Sequence, residues 1–267
     1  MRVAFVLVAA LLLAGSAMAA DVAKGPEYIE GTVVEYTDSY SRGDVLIVTV
    51  LAGTFTDITP IYSSAFAANG KTADVVYDPA GVWPDMSGYT TCLISTSDNW
   101  WDSYDYTGDL AAAGSYVDGG GCLWVIGQDF IYGSGAYGGL VFAQTYLGLA
   151  SVVEDVNFGD DTPMEWFGTA GGPLDGMTSA MLPCFASNPW FTDDVTPAMQ
   201  GLALWETGLG SGEGGCVTDF STLLSTVEFA CDDVMINDVV GALLEGVCGG
   251  VIPVEDGSWG SIKHDFR

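Results

Sequence analysis

Continuous apolar runs of strand length alternate with segments of helix length along most of this chain. The run at 44–51 (DVLIVTVL) is apolar throughout, as expected for a strand buried on both faces of a parallel sheet. Five further strands are predicted at 73–77, 90–95, 122–126, 151–156 and 226–230. Because strands separated by helices pair in parallel through right-handed crossovers, this order predicts an α/β fold with a doubly wound, mainly parallel sheet.

The helices between these strands carry start and stop signals. Thr59-Pro60 opens the first helix with proline in its first turn, and Asn69-Gly70 ends it. Thr107 can cap a second helix, which Gly119-Gly120-Gly121 ends just before the next strand. Two more helices are predicted at 139–147 and 234–247.

Residues 159–215 break the alternation, because Gly, Pro, Asp and Trp dominate there and periodicity is lost. A loop of that length is uncommon within a domain unless it contains short strands or a lid. We therefore expect one domain at 44–250 with an irregular, loop-rich insertion that holds some antiparallel strands. An N-terminal segment at 21–43 precedes it and a tail at 251–267 follows it.

The first twenty residues are typical of a signal peptide. Met1-Arg2 supplies a positive charge, residues 3–14 are apolar but too few to span a bilayer comfortably, and Ala17-Met18-Ala19 fits the small-x-small cleavage pattern. The chain is therefore predicted to be secreted or on the cell surface, without membrane insertion after cleavage of residues 1–20. A retained membrane anchor is the alternative.

The chain is strongly acidic, with 35 acidic residues against six basic ones and a formal charge of -29. Such a field repels phosphate backbones and anionic lipid head groups, so nucleic-acid and membrane-surface binding are disfavoured. Charged residues make up only 15% of the chain and hydrophobic residues 49%, which indicates a globular protein and not a disordered acidic one.

An even number of cysteines in an exported chain favours disulfides. The six are Cys92, Cys122, Cys184, Cys216, Cys231 and Cys248, and none forms a CxxC motif. Fifteen pairings are possible. We favour Cys184 with Cys216, because both lie in the loop-rich region that most needs a cross-link. The alternative is that the cysteines are buried, unpaired small hydrophobes.

Four segments carry a resemblance to a known family: 99–101 (NWW), 110–121, 124–129 (WVIGQD) and 142–148. Together they resemble bacterial secreted domains that are similar in fold to class I glutamine amidotransferases and to trehalose-utilisation-type domains. The resemblance covers most of residues 44–247 and implies a flavodoxin-like sheet.

The amidotransferase relatives use a Cys at the turn after a strand, and a His and a Glu just after the last strand. Carried over position by position, Gln128 stands for the Cys, Ala230 for the His and Asp232 for the Glu. An acid without a nucleophile or base cannot perform that chemistry. The only histidine, His264, is the fourth residue from the end of the chain. The resemblance thus implies the fold and argues against catalysis.

Candidate binding residues follow from the fold, because ligands of open α/β sheets bind at the carboxyl ends of the strands. The residues expected there are Asp98, Asn99, Trp100, Trp101, Gln128 and Asp129. Carboxylates and amides beside paired tryptophans suit a sugar ring or an oxygen-coordinated cation. Alternatively, the tryptophans pack under the insertion and Asp98 caps a turn.

No cofactor is predicted beyond weak calcium binding. Two runs of spaced acids are candidates for it, and neither matches the calcium-loop pattern. They are Asp102, Asp105 and Asp109, and Glu154, Asp155, Asp160 and Asp161. A solvated acidic face is the alternative.

The last residues, 254–267, form a small apolar and basic segment in an acidic chain. Trp259, Ile262 and Phe266 give an apolar stripe, and Lys263 and Arg267 supply positive charge. We expect export or sorting machinery to read this tail, or else a frayed terminus.

The sequence therefore predicts a secreted or cell-surface, non-catalytic α/β module with a binding or structural role, whose partner is a glycan or another cell-surface protein. The alternative is an extracellular hydrolase that uses paired carboxylates on a polysaccharide.

Overall fold

The structure is a computed structural model that describes residues 43–50, 57–78, 83–96, 105–157, 163–181, 192–219, 221–232 and 234–249. Inter-residue contacts divide the chain into a unit at 1–32 and a unit at 33–267, and all of the described residues belong to the second. The predicted signal peptide and the tail lie outside the described residues. None of the helices described is long and apolar enough to cross a membrane.

A seven-stranded sheet forms the centre of the molecule. Its parallel strands are β1 (Val45–Val50), β2 (Ala73–Asp78), β3 (Thr91–Ser95), β4 (Cys122–Ile126) and β13 (Thr222–Ser225). The antiparallel strands β9 (Gln200–Gly201) and β12 (Gly215–Thr218) complete it. The order is β2-β1-β3-β4-β13-β12-β9, so the predicted doubly wound, mainly parallel sheet is confirmed.

The continuous apolar runs of the central strands have a simple cause. In β1, Val45 and Ile47 face one core layer and Leu46 and Val48 face the other, and all four are fully buried. Because successive side chains point to opposite faces of a strand, a sheet covered on both sides needs apolar residues at every position.

Helices cover both faces. They are α1 (Thr59–Ala68), α2 (Thr107–Asp118), α3 (Phe130–Ser134), α4 (Gly139–Tyr146) and α5 (Ile236–Leu243), which continues as a π-helix at Leu244–Cys248. The first helix ends as predicted, with Asn69 as its C-cap and Gly70 at φ 73°. The prediction that Thr107 caps α2 is wrong, because Thr107 is the first residue of the helix and Tyr106 is its N-cap. Asp105 Oδ1 accepts the Thr107 N–H (2.9 Å).

The predicted irregular insertion does contain antiparallel strands. β5 (Leu149–Val153) pairs with β8 (Asp194–Pro197). A separate four-stranded sheet consists of β6 (Met164–Gly168), β7 (Thr178–Met181), β10 (Ala203–Glu206) and β11 (Ser211–Glu213). Trp166 and Trp205 are paired in register on its inner face, and the Trp166 ring lies 5.1 Å from that of Phe229. This contact attaches the small sheet to the core of the main one.

Two predicted strands were placed wrongly. The last strand is 222–225 and not 226–230, because Leu223 and Leu224 pair with β4 while the chain after Ser225 turns into a 3₁₀ helix at Phe229–Cys231. β5 ends at Val153 and not at 156, because a turn begins at Glu154 and Asp155 adopts φ 55°.

The preferred cysteine pairing was also wrong. The structure joins Cys122 to Cys248, whose Cα atoms lie 5.6 Å apart, and leaves Cys92 and Cys216 as buried thiols. Cys216 points into the core layer on the other face of the sheet, where its thiol donates to the Leu147 carbonyl (3.1 Å). Cys184 lies outside the described residues. The disulfide binds the last helical turn to the first residue of β4.

Candidate functional site

The carboxyl ends of three neighbouring strands are held together by hydrogen bonds. The Gly127 N–H after β4 donates to the Ser225 carbonyl at the end of β13 (3.0 Å), and the Thr96 N–H after β3 donates to the Ile126 carbonyl (3.1 Å). The Thr96 hydroxyl also donates to the Gln128 carbonyl (2.7 Å). The turn at 127–129 therefore lies at the sheet edge where ligands of this fold class bind.

At this turn a strand, a sharp turn and a helix follow one another directly. Gly127 has φ 132° and Asp129 has φ 61°, directly before α3 begins at Phe130. Glycine suits the first of these conformations, and aspartate is one of the few other residues that adopts a left-handed conformation readily. Gln128 is fully buried and Asp129 is 3% exposed. The two candidate binding side chains thus lie beneath the surface.

A buried carboxylate follows β13 at the same edge. Glu228 is fully buried, and its Oε1 accepts the Tyr62 hydroxyl (2.5 Å) and the Ala230 N–H (3.0 Å). Burial, and then the negative charge of Glu228, raises the pKa of Tyr62 well above its ordinary value. Tyr62 therefore keeps its proton and remains the donor, so the pair connects α1 to the segment after the last strand.

Sequence reasoning missed Glu228. The one available signal was an acid inside an otherwise apolar stretch (TVEFA, 226–230), since acids are almost never fully buried without a partner. The partner, Tyr62, lies 166 positions away in the sequence, and so no local pattern could identify it.

The other two positions compared with amidotransferase catalytic residues, Ala230 and Asp232, are both buried. Ala230 is 3% exposed, within the 3₁₀ helix. Asp232 is 5% exposed, and its Oδ1 accepts the Met235 N–H just ahead of α5 (3.0 Å). The Asp232 carboxylate thus satisfies a backbone donor at the start of a helix.

Several predicted site residues cannot be placed. Asp98, Asn99, Trp100 and Trp101 lie outside the described residues, as do the tail residues Trp259, Ile262, Lys263, Phe266 and Arg267. Of the first acidic run, Asp109 is 5% exposed and accepts the Trp83 N–H (2.7 Å), while Asp105 accepts the Thr107 N–H at the start of α2. Within the described ranges, no three His, Cys, Asp or Glu side chains gather closely enough to hold a metal ion.

A hollow of about 390 Å³ lies at the opposite, amino edge of the sheet. Its walls are residues 171–173, Gln200, residues 217–219 and residues 246–247. Asp219 is the single ionisable group in this lining, and much of the rest is glycine. The hollow therefore does not coincide with the buried polar groups at the carboxyl edge.

Solved structures show what fold this is. A glutamine amidotransferase from Thermotoga maritima is 9% identical with a TM-score of 0.51, covering 77% of this chain and 98% of its own. A ThuA-like protein from Bacteroides uniformis is 9% identical with a TM-score of 0.52, covering 81% and 95%. The chain has a class I glutamine amidotransferase-like fold, as the sequence resemblance predicted.

A β-galactosidase from Bacillus circulans sp. alkalophilus also matches, at 11% identity and a TM-score of 0.50. The match covers 76% of this chain but 31% of the β-galactosidase, so the similarity is to one part of that enzyme. No family model and no curated protein matches the sequence. Sequence identities of 9–11% establish similarity of fold alone.

Proposed function

We propose that this protein is a secreted or cell-surface α/β module that binds or organises other molecules and has no catalytic activity. The observation that carries the proposal is the burial of the turn after β4. Gln128 there is fully buried, whereas a nucleophile must be exposed to substrate and must contact a base. The described residues include no histidine that could serve as that base.

The buried carboxylates favour a module over a polysaccharide hydrolase. Asp109 accepts a backbone N–H from Trp83, and Glu228 accepts one from Ala230. A glycosidase instead needs two carboxyl groups that face each other across the scissile bond, one of them protonated. Carboxylates that satisfy buried backbone donors are used to hold loops in place.

Two features support export. The signal-like residues 1–20 precede the domain, and the structure contains a disulfide between Cys122 and Cys248. Disulfides persist in oxidising compartments and are rare in the cytosol. The proposed partners are a glycan or another cell-surface protein.

The proposal is tested by treating the mature protein with electrophilic probes and locating any adduct by mass spectrometry. We expect no adduct at residues 127–129 and no turnover of glutamine, esters or polysaccharides. The variant Gln128→Cys is the matched control, since it places a thiol at the turn, and burial should leave it unlabelled in the native state. Turnover-dependent labelling of the wild-type turn, or release of reducing sugar, would overturn the proposal. A glycan-array screen of the same protein then examines binding.

A further inference from the structure

A second group of buried polar residues lies where the chain turns after β5 and enters β8. It borders the carboxyl edge, because the hydroxyl of Thr226, just after β13, donates to the Asp193 carbonyl (3.2 Å). The Asp155 N–H donates to Asp193 Oδ1 (3.1 Å), and the Val156 N–H donates to the Thr192 carbonyl (3.2 Å). These bonds lie just beyond Val153 and Asp194, the last pair of the β5–β8 ladder, and they hold residues 155–156 against residues 192–193. We call this place the 155–193 junction.

The 155–193 junction contains several buried polar atoms that have no hydrogen-bond partner among the described residues. Three of them, Asp193 Oδ2, Asp155 Oδ1 and Thr192 Oγ1, are oxygens that can ligate a cation, whereas the fourth, Asn157 Nδ2, is a donor that a cation does not satisfy. Asp193 and Asn157 are 1% exposed, and Thr192 is fully buried. More than nine in ten buried polar groups in proteins have a partner, so a concentration of unpaired ones marks a place where a further ligand completes the bonding.

The charge of the junction indicates what kind of ligand is missing. Asp193 and Asp155 are both acidic, and Glu154 adds a third negative charge close by. Lys71 is the one basic residue in the described part of the chain, and its charge acts on Asp44. A buried carboxylate without a neighbouring cation is unfavourable, and it is stabilised either by taking up a proton or by binding a cation from solution.

We propose that the 155–193 junction binds a calcium ion, with the carboxylates of Asp193 and Asp155 as its anionic ligands. Asp193 is suited to this because one of its oxygens already holds the Asp155 backbone, which fixes the direction of the other. Calcium accepts carboxylate, hydroxyl and water oxygens in irregular geometry, whereas magnesium requires a near-ideal octahedron.

Two carboxylates and neutral oxygens form a modest donor set, in keeping with the lack of any three-acid cluster among the described residues. The expected dissociation constant is therefore about 10⁻⁴ to 10⁻³ M, as in weak extracellular calcium modules. The proposed ligands, Asp155 and Asp193, are not the residues on which the proposed function rests, so either idea can fail without the other.

The experiment titrates calcium chloride into EDTA-treated full-length mature protein at constant ionic strength, by calorimetry and by thermal melting. The variants are Asp193→Asn and Asp155→Asn. Asparagine keeps the oxygen that accepts the Asp155 N–H, so Asp193→Asn should fold. Glu165→Gln is the matched control, because it removes the same charge from an exposed position on β6. We expect saturable binding and a raised melting temperature for wild type and control, with an affinity at least about tenfold lower in both junction variants.

Three results would overturn the proposal. The first is no saturable heat and no thermal shift up to about 10 mM calcium. The second is equal affinity in all four proteins, which would mean diffuse attraction of counterions to a chain of net charge -29. The third is an equal effect of magnesium at the same concentrations. Should Asp193→Asn fail to fold, Asp155→Asn decides the question, because its side chain is only partly buried.

Discussion

Removing the Cys122–Cys248 disulfide should lower the stability of the fold by several kcal/mol. The bond closes a loop of 126 residues, from the start of β4 to the end of the last helix. In the chain-entropy description, a loop of this length removes about 16 cal/mol/K from the unfolded state, or about 5 kcal/mol at 25 °C. Measured losses for native disulfides are roughly 2–5 kcal/mol, so the calculated figure is an upper estimate.

For a domain of this size, each kcal/mol shifts the melting temperature by roughly 2–4 °C. The double variant Cys122→Ala/Cys248→Ala should therefore melt roughly 4–20 °C below the oxidised wild type. Thermal unfolding is followed by circular dichroism with and without reductant. Reductant should lower the melting temperature of the wild type toward that of the double variant.

Cys216→Ala is the matched control, because it deletes a buried thiol that is not cross-linked. It should change the unfolding free energy by about 1 kcal/mol, and reductant should not add to that change. Burial raises the pKa of Cys92 and of Cys216 to about 12, so alkylation should modify these thiols only after denaturation. If reduced and oxidised wild type melt together, or if Cys122 alkylates without reductant in denaturant, the disulfide assignment is wrong.

Three further predictions concern buried acids and the tail. Burial raises the pKa of Asp193 from 3.8 to about 8. Between these pH values the folded state holds a proton that the unfolded state has released, so the calcium-free protein should lose stability as the pH rises. Thermal melts across that pH range should show that the melting temperature of Asp193→Asn depends less on pH than that of the wild type. An equal pH dependence in both proteins would contradict the assignment. Glu228→Ala should cost about 1–3 kcal/mol in urea unfolding, because the buried Tyr62 hydroxyl loses its acceptor, whereas Glu165→Ala should cost little. Deleting residues 254–267 should change where the protein accumulates but not its melting temperature, and the reverse outcome would make the tail a structural element.

Local signals were sufficient for much of the fold. The continuous apolar run of β1 indicated a strand buried on both faces, and Pro60 with Asn69-Gly70 bounded α1. The loss of periodicity at 159–215 marked a region whose described strands pair only antiparallel. These features depend on backbone preferences and on side-chain periodicity within a few residues, and so they can be recognised from the local sequence.

The candidate site was only partly predictable. The strand and turn at 122–129 were located, but the burial of Gln128 and Asp129 could not be foreseen, because it depends on which other segments cover the carboxyl edge. Glu228 was missed for a related reason, since the role of an acid within an apolar run cannot be inferred until its hydrogen-bond donor is known.

The sequence by itself thus determined the alternation of strands and helices, the acidic charge and the fold class. Only the tertiary structure decided that the last strand is 222–225, that Cys122 pairs with Cys248, and that Asp193 is buried beside Asp155. Each of these depends on groups that lie 38 to 126 positions apart or on pairing with a distant strand. Such contacts arise from the packing of the whole chain, and they cannot be inferred from the spacing of residues along the sequence.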